Sequence, residues 1–370
     1  MDLPADARLY LHPVQFVDTP VGRDGEVARL AGGMNWFAAY RAIWRHDGGA
    51  RIAARTVPVA EFYAWRDTLP AAQAERAAVL AQALSAARAP LVMGARVLRL
   101  DQPLVMGILN MTPDSFSDGG AHLDDPAAAA AAGVDMAGAG AALIDVGGES
   151  TRPGAQSVWE VDEIGRVVPV IERLAAAGCA VSIDTRKAGV MQAALAAGAG
   201  MVNDVAALLF DDRAPAVVAQ SGAPVVLMHS PDPDRGGHGA GGYRDVLLDV
   251  FDWLEARVAA VVAAGVRRDR IVIDPGIGFG KSLADNCALL NGLALLHGIG
   301  CPLLLGASRT RLVGALSDEA PADKRLGGSL ALALHGASLG VQLLRVHDVA
   351  ETVQGVRVWR GLRDAALVGR

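Results

Sequence analysis

The chain has 370 residues, enough for one large domain and a smaller one. Hydrophobic residues make up 52% and charged residues 20%, a globular composition, and a formal net charge of −6 argues against general nucleic-acid binding, which calls for a basic surface. The first residues show no basic stretch followed by an apolar core, and the Ala-rich stretches are broken by Asp, Arg and Gly, so neither a signal peptide nor a membrane span is expected. Cys179, Cys287 and Cys301 are odd in number and widely spaced, which fits neither a disulfide framework nor a zinc site. They read as buried thiols of a cytoplasmic protein.

In chain order, residues 9–17 read as a strand, 36–45 as a short amphipathic helix, 50–59 as a second strand and 71–88 as an amphipathic helix. Residues 1–95 are thus expected to form a small N-terminal α+β extension without chemistry of its own. Its Trp36, Trp44 and Trp65 read as core or interface residues. Pro90 and Gly94 mark a junction, and residues 96–101 read as a strand that plugs the floor of the larger C-terminal domain. A chain beginning near Pro90 is expected to fold alone.

Residues 96–370 have a regular grammar. Continuous apolar runs cover 105–110, 142–147, 180–185, 201–205, 224–229, 271–276, 302–308 and 341–347, with helical stretches such as 188–197, 246–264 and 330–339 between them. Runs of this kind suit parallel strands covered on both faces. Eight strand–helix units match a (β/α)8 TIM barrel, whereas a doubly wound open sheet usually has fewer strands. Asn110, Glu149, Asp184, Asn203, His229, Asp274, Ser308, Arg345 and His347 all fall at or just past the C-terminal end of an expected strand. In a barrel those ends converge on the face that holds the active site.

Four segments carry chemistry. MGILNMTPDSFSDGG (106–120) delivers Asn110 and then a polar loop longer than an ordinary βα connection. The Asn110 amide oxygen is a hard ligand suited to Mg2+ carried by a diphosphate. LIDVGGESTRPGA (143–155) gives a second long loop, where Arg152 can bind phosphate or carboxylate. Asp184, Asn203 and Asp274, each at a strand top, can read the amino and ring-nitrogen edge of an aminopyrimidinone. The run Gly276–Lys281 lacks Walker spacing; its glycines allow close approach to a flat ligand, with Phe279 available for stacking. At the end of the eighth run, Arg345 and His347 sit where barrels often bind phosphate.

Together, in order over residues 100–365, these segments resemble the dihydropteroate synthase family. NMTPDSFSDGG and GGESTRPGA look like its two substrate loops. The resemblance implies an enzyme of folate biosynthesis that joins a pterin diphosphate to p-aminobenzoate, with Mg2+ as cofactor and sulfonamides as competing ligands. It implies Asp184, Asn203, Asp274, Met228 and Gly306 around the pterin, and Asn110, Arg345 and His347 as catalytic residues, Asn110 ligating Mg2+. Phe116, Thr151, Arg152, Pro153 and Phe279 would flank p-aminobenzoate. It also implies a homodimer, paired through helices near strands seven and eight.

One departure stands out: the family pattern Ser-Arg-Lys after strand seven is here Ser308-Arg309-Thr310-Arg311. A short hydroxyl cannot replace an ammonium at the same reach, so either Arg309 or Arg311 fills the gap or binding is weakened. Two rival readings remain: a methyltetrahydrofolate–corrinoid methyltransferase, which has no reason to keep the two loops, and a catalytically weakened pterin-binding homologue, supported only by Thr310.

Overall fold

A computed structural model of the chain describes residues 4, 7–46, 48–112, 125–150, 157–231 and 242–368. It begins with β1 (Arg8–Val17), β2 (Ala28–Arg29), β3 (Trp36–Arg45) and β4 (Arg51–Pro58), followed by α1 (Phe62–Arg66) and α2 (Ala71–Ser85). β3 is the centre of an antiparallel sheet, flanked by β1 on one side and by β2 and β4 on the other. The helix expected at 36–45 is therefore a strand. Its Trp, Phe, Tyr and Ile content favours extended structure. It is buried along nearly its whole length, so the alternation that announces a half-exposed strand is missing.

This sheet is fastened to the outside of the barrel. Asp245, Asp249, Asp252 and Glu255 are spaced to lie along one face of a helix. Onto them come Arg51 with Asp245, Arg45 with Asp249 at 2.6 Å and with Asp252, Arg8 with Asp252 at 3.1 Å and with Glu255, and Arg76 with Glu255 at 3.4 Å. Tyr10 accepts a hydrogen bond from Arg45 and donates one to Asp252. Beside them Tyr10 meets Phe251 edge-on with ring centres 5.5 Å apart. The apolar core runs without a break from the N-terminal sheet into the barrel wall.

A short hairpin comes next, β5 (Leu91–Met93) against β6 (Arg96–Leu98). The barrel is built from β7 (Leu104–Asn110), α3 (Pro126–Ala139), β8 (Leu143–Gly147), α4 (Glu160–Ala176), β9 (Val181–Asp184), α5 (Ala188–Ala196), β10 (Met201–Asp204), α6 (Ala214–Ser221), β11 (Val225–Met228), α7 (Val246–Ala263), β12 (Ile271–Asp274), α8 (Leu283–Leu296), β13 (Leu304–Leu305), α9 (Arg311–Ala315), α10 (Leu326–Ser338), β14 (Leu343–Val346) and α11 (Val349–Leu367). The eight parallel strands pair in the order β12-β11-β10-β9-β8-β7-β14-β13, and a parallel bridge from Ile273 to Leu303 joins the two ends. This is the (β/α)8 barrel that the eight apolar runs imply.

Met106, Leu143, Met201, Val226, Val272, Leu304 and Leu343, one from each of seven strands, form an apolar layer with Ala180 inside the barrel floor. Leu91, Met93 and Leu100 from the hairpin and the segment after it join that layer from below. The plug expected at 96–101 is thus a hairpin starting at Leu91, and a domain boundary at 95 falls inside it. With its floor sealed, the barrel is open to ligand only at the other end.

Candidate active site

One ladder row carries most of the chemistry. Asn110 pairs with Gly147, Gly147 with Asp184, and Asp184 with Asn203 across β7, β8, β9 and β10. Neighbours in register point to the same side of a sheet, here into the barrel mouth. Gly147 leaves room in that row: a methyl group there would stand 3.5 Å from Asn110 Oδ1 and 3.6 Å from Asp184 Cβ.

Beneath the row lies a carboxylate that the pattern of polar strand ends does not single out. Asp145 is fully buried in the middle of β8. Its Oδ2 accepts from Arg345 Nε at 2.6 Å and from Asn203 Nδ2 at 2.9 Å. Its Oδ1 has no donor among the described residues. Arg345, from β14, also donates through Nη2 to Asp184 at 2.7 Å. The signal that could have found Asp145 is the charge itself, standing inside an apolar strand where an unpaired carboxylate would be very costly.

Asp274, at the end of β12, faces the same space. Its Oδ1 accepts the Gly276 N–H at 2.7 Å, and a methyl group on Gly306 would lie 3.8 Å from its Oδ2 and 4.0 Å from Arg345 Cδ. Gly306 therefore marks a slot between Asp274 and Arg345. Met228, buried, is in register with Asp274. Gly276 itself has φ +67°, and any Cβ would collide with the His229 carbonyl at 2.0 Å, so only glycine allows the turn. Lys281 closes that turn by donating to the carbonyls of Gly276 at 2.8 Å and Phe279 at 3.0 Å.

Three carboxylates around one guanidinium cannot all stay charged cheaply. Burial is the largest influence on Asp184 and pushes its carboxyl up; Arg345 opposes this, and Asp145 and Asp204 add to it. Asp274 is pushed up to about 6, mainly by burial, against the Gly276 N–H, Lys281 and Arg345. Burial lowers Lys281 to about 7. On Arg345 burial acts to lower, but Asp145 and Asp184 outweigh it and hold the proton more tightly.

At the eighth strand, His347 Nδ1 lies 3.1 Å from Ser308 Oγ, which also accepts the His347 N–H at 3.2 Å. Arg309 has φ +54° and turns its guanidinium to Asp348, with Nε to Oδ2 at 3.0 Å. Thr310 donates its hydroxyl back to the Ala307 carbonyl at 3.1 Å, and Arg311 is exposed at the start of α9. The structure therefore brings neither arginine into contact with Asp184, Asp274 or Asp145. Phe279 sits in the turn closed by Lys281.

The donor set bears on magnesium. Among the described residues no group of three or more His, Cys, Asp or Glu could hold a metal. Asn110 Oδ1 and Asp184 Oδ2 face the space over Gly147, 3.5 Å and 3.8 Å from where a methyl group on it would stand. A carboxamide oxygen such as that of Asn110 is a hard ligand of the kind Mg2+ takes together with phosphate oxygens and waters.

The pterin-binding enzyme family matches residues 106–347, which takes in most of β7 and all of β8 to β14. The dihydropteroate synthase of Neisseria meningitidis serogroup B is 42% identical over 267 residues, 71% of this chain and 94% of that one. The Escherichia coli K12 dihydropteroate synthase is 43% identical over 262 residues, 70% and 92%. The chain belongs to the dihydropteroate synthase family. Among solved structures of that family, the Xanthomonas albilineans enzyme with 4-aminobenzoic acid has a TM-score of 0.70 at 48% identity, covering 75% of this chain and 98% of its own. The Yersinia pestis enzyme with a sulfonamide drug has a TM-score of 0.71 at 43% identity, covering 74% and 99%. The N-terminal sheet and α2 precede the residues matched by the family.

Of the sequence-derived site residues, Asn110, Asp184, Asn203, Asp274, Met228, Gly306 and Arg345 converge at the barrel mouth, with His347 on the adjoining strand end. Phe116, Thr151, Arg152 and Pro153 lie outside the described residues. No described helix is long and apolar enough to cross a membrane.

Proposed function

We propose that this chain condenses 6-hydroxymethyl-7,8-dihydropterin diphosphate with p-aminobenzoate, giving 7,8-dihydropteroate and diphosphate. The observation that carries the reading is the Arg345 cluster: Asp145 and Asp184 tied to one guanidinium, with Asn203 bonded to Asp145, at the mouth of a sealed barrel, and Asp274 across the slot marked by Gly306. An aminopterin edge presents several N–H donors in a plane, and this wall presents a surplus of acceptors. Solved relatives bear it out for themselves: the Xanthomonas albilineans enzyme has been seen with 7,8-dihydropteroate.

The C–O bond to diphosphate breaks and the arylamine nitrogen forms the new C–N bond, losing a proton. Positive charge at the methylene carbon is spread into the pterin, so no protein nucleophile is needed. Asp184, Asn203 and Asp274 hold the pterin flat and in register; Arg345 and His347, at the phosphate-binding end of the barrel, stabilise the leaving group. Arg345 is already held by two carboxylates, so the diphosphate competes with Asp145 and Asp184 for it. Asn110, together with diphosphate oxygens and water, would hold Mg2+, which when bound neutralises diphosphate charge. Sulfonamides would compete for the p-aminobenzoate position.

A homodimer has a candidate face. Leu326 on α10 and Val358 and Leu362 on α11 are exposed apolar residues on the helices after strands seven and eight. The first experiment is turnover of the full chain with both substrates and Mg2+. Formation of dihydropteroate is expected; pterin binding without turnover would favour the silent homologue, and methyl transfer to a corrinoid would favour the other rival.

A further inference from the structure

Thr151, Arg152 and Pro153 lie between Ser150 and Ser157, and the two ends of that segment are described. At the first end, Gly148 passes so close to α4 that a methyl group there would stand 2.7 Å from Val167 Cγ1 and 2.8 Å from Glu163 Cγ. The Gly148 carbonyl accepts from Arg166 at 3.1 Å. Glu149 then reaches across to the second end, its Oε1 accepting the Val158 N–H at 3.0 Å. The Glu149 carboxylate thus ties the strand end to Val158, just before α4.

What holds Glu149 in that position is a lysine from the neighbouring strand. Lys187, just beyond β9, donates to Glu149 Oε2 at 3.1 Å and to Glu163 Oε2 at 2.5 Å. Arg186 adds a bond to Glu149 Oε2 at 3.3 Å and lies over the Phe210 ring. The lysine and both carboxylates are nearly withdrawn from water, with side-chain exposures of 9%, 4% and 0%. Burial alone would raise the Glu149 carboxyl, yet the Val158 N–H, Arg186 and Lys187 together hold it below its usual value. Burial pushes Glu163 up despite the pull of Lys187. A buried ion network of this kind is weak support for stability, since a well-packed apolar group often does as well. Composition points the same way. The chain has 34 basic residues, of which only Lys187, Lys281 and Lys324 are lysines. A compact ammonium stands at 187 where the chain otherwise uses arginine, and a point between two carboxylates suits an ammonium better than a planar fork.

We propose that Lys187 is a positioning residue for the p-aminobenzoate side of the reaction: it holds Glu149 against Val158 and so fixes the two ends of the segment that carries Thr151, Arg152 and Pro153. This rests on the proposed function and on the family resemblance, which implies that those residues flank p-aminobenzoate. Lys187 touches neither substrate.

The test uses the full chain and three proteins: unmodified, Lys187→Met and Glu149→Gln. Lys187→Met fills the space without the charge; Glu149→Gln keeps an acceptor for Val158 but loses the partner of Lys187. In both variants the KM for p-aminobenzoate should rise, by about tenfold or more in Lys187→Met and less in Glu149→Gln. The Kd for pterin, measured by calorimetry without p-aminobenzoate, and kcat at saturation should stay within about twofold to threefold of the unmodified chain. Equal losses of pterin and p-aminobenzoate binding, or an unchanged KM in both variants, would overturn the proposal. If Lys187→Met fails to fold, Glu149→Gln alone decides. Absence of turnover in the unmodified chain would overturn the functional reading and this proposal with it, whereas normal turnover with an unaltered KM in the variants overturns this proposal only.

Discussion

Two clusters of buried charge, one outside the barrel wall and one inside its mouth, are built to different rules. Where the N-terminal sheet meets α7, four arginines face four acidic side chains, and each acid has at least one guanidinium. At the barrel mouth, Arg345 faces Asp145, Asp184 and Asp274, with Asp274 also near Lys281. In the first cluster every carboxylate is matched, and what is left over among the described residues is donor capacity, at Arg8 Nε and Arg76 Nη2. The second has more acceptors than the protein's own described donors fill: Asp145 keeps one oxygen without a donor, and Asp184 and Asp274 are both raised. Matched charge fastens one part of the chain to another; unmatched charge is kept ready for a ligand that brings the missing donors.

The comparison breaks most visibly if variants fail to sort by cluster. Arg45→Ala removes the nearly inaccessible guanidinium at the centre of the first cluster and leaves Asp249 and Asp252 without it. Breaking a buried pair from one side costs about 3–5 kcal/mol, and the lower end fits carboxylates that still see some water. Urea unfolding should show that loss, with pterin affinity unchanged. Removing the exposed Arg23 from Glu26 should cost no more than about 0.5 kcal/mol. The unbroken core also implies that a chain starting near Pro90 loses the cover over Phe251 and aggregates, against the expectation that it folds alone.

Pocket variants should do the reverse. Asp184→Ala or Asp274→Ala should cost the pterin about 2–5 kcal/mol of binding, and Asp145→Ala a comparable amount by releasing Arg345 and Asn203. Asp274→Asn should leave the urea midpoint at neutral pH unchanged or raise it. A carboxyl raised to about 6 is disfavoured in its charged form on folding, so neutralising it relieves the folded state. A pocket variant that unfolds as readily as Arg45→Ala while keeping its pterin affinity would erase the distinction.

The pH dependence is a smaller effect. Asp274 must be ionised to accept pterin donors, and it takes up a proton below about 6. Pterin affinity should therefore fall as pH drops, by up to about tenfold per unit below about 6 from Asp274, with the raised carboxyl of Asp184 adding to the fall. A calorimetric Kd that stays flat from about pH 7 to 5 would show that Asp274 does not carry the recognition.

How much of the molecule is legible in its sequence depends on how local each feature is. The barrel strands are short apolar runs ending in a polar residue, so their number and their tops can be read from spacing alone. The row Asn110, Asp184, Asn203 comes with them, because strand ends in a barrel converge. β3 is not legible, since a strand buried on both faces has no alternation, and its aromatic residues sit at helix-like intervals as well. Asp145 is legible in principle as a charge in an apolar run. Arg45 is not: its partners lie far along the chain on α7, and a basic residue ending an apolar segment looks like an ordinary solvated end. The Lys187–Glu149 contact is hidden for the same reason, being fixed only when β8 and β9 lie side by side.

The last prediction concerns Thr310, where the family pattern has lysine. The sequence leaves two outcomes open: a neighbouring arginine supplies the charge, or the charge is missing. The geometry favours the second. Arg309 is turned through a left-handed backbone conformation onto Asp348, its carbonyl is held by Arg325 at 3.0 Å, and its N–H is bound to Ser329 at 2.8 Å. Arg311 opens α9 with its side chain exposed, and the Thr310 hydroxyl bonds the Ala307 carbonyl. Among the described contacts neither arginine reaches Asp274, Asp184 or Asp145, in a pocket already rich in unmatched acceptors. Thr310→Lys should therefore tighten p-aminobenzoate and sulfonamide binding together, by about one to two decades if the new ammonium makes one charge-assisted bond. It should also draw Asp274 downward, moving the fall in pterin affinity to lower pH, since an added positive charge favours the carboxylate. Arg309→Ala should reduce stability through Asp348 and leave the p-aminobenzoate affinity of Thr310→Lys intact. If Thr310→Lys changes neither ligand's affinity while Arg309→Ala or Arg311→Ala abolishes p-aminobenzoate binding, an arginine supplies the charge after all, and the pocket is better matched than its described contacts indicate.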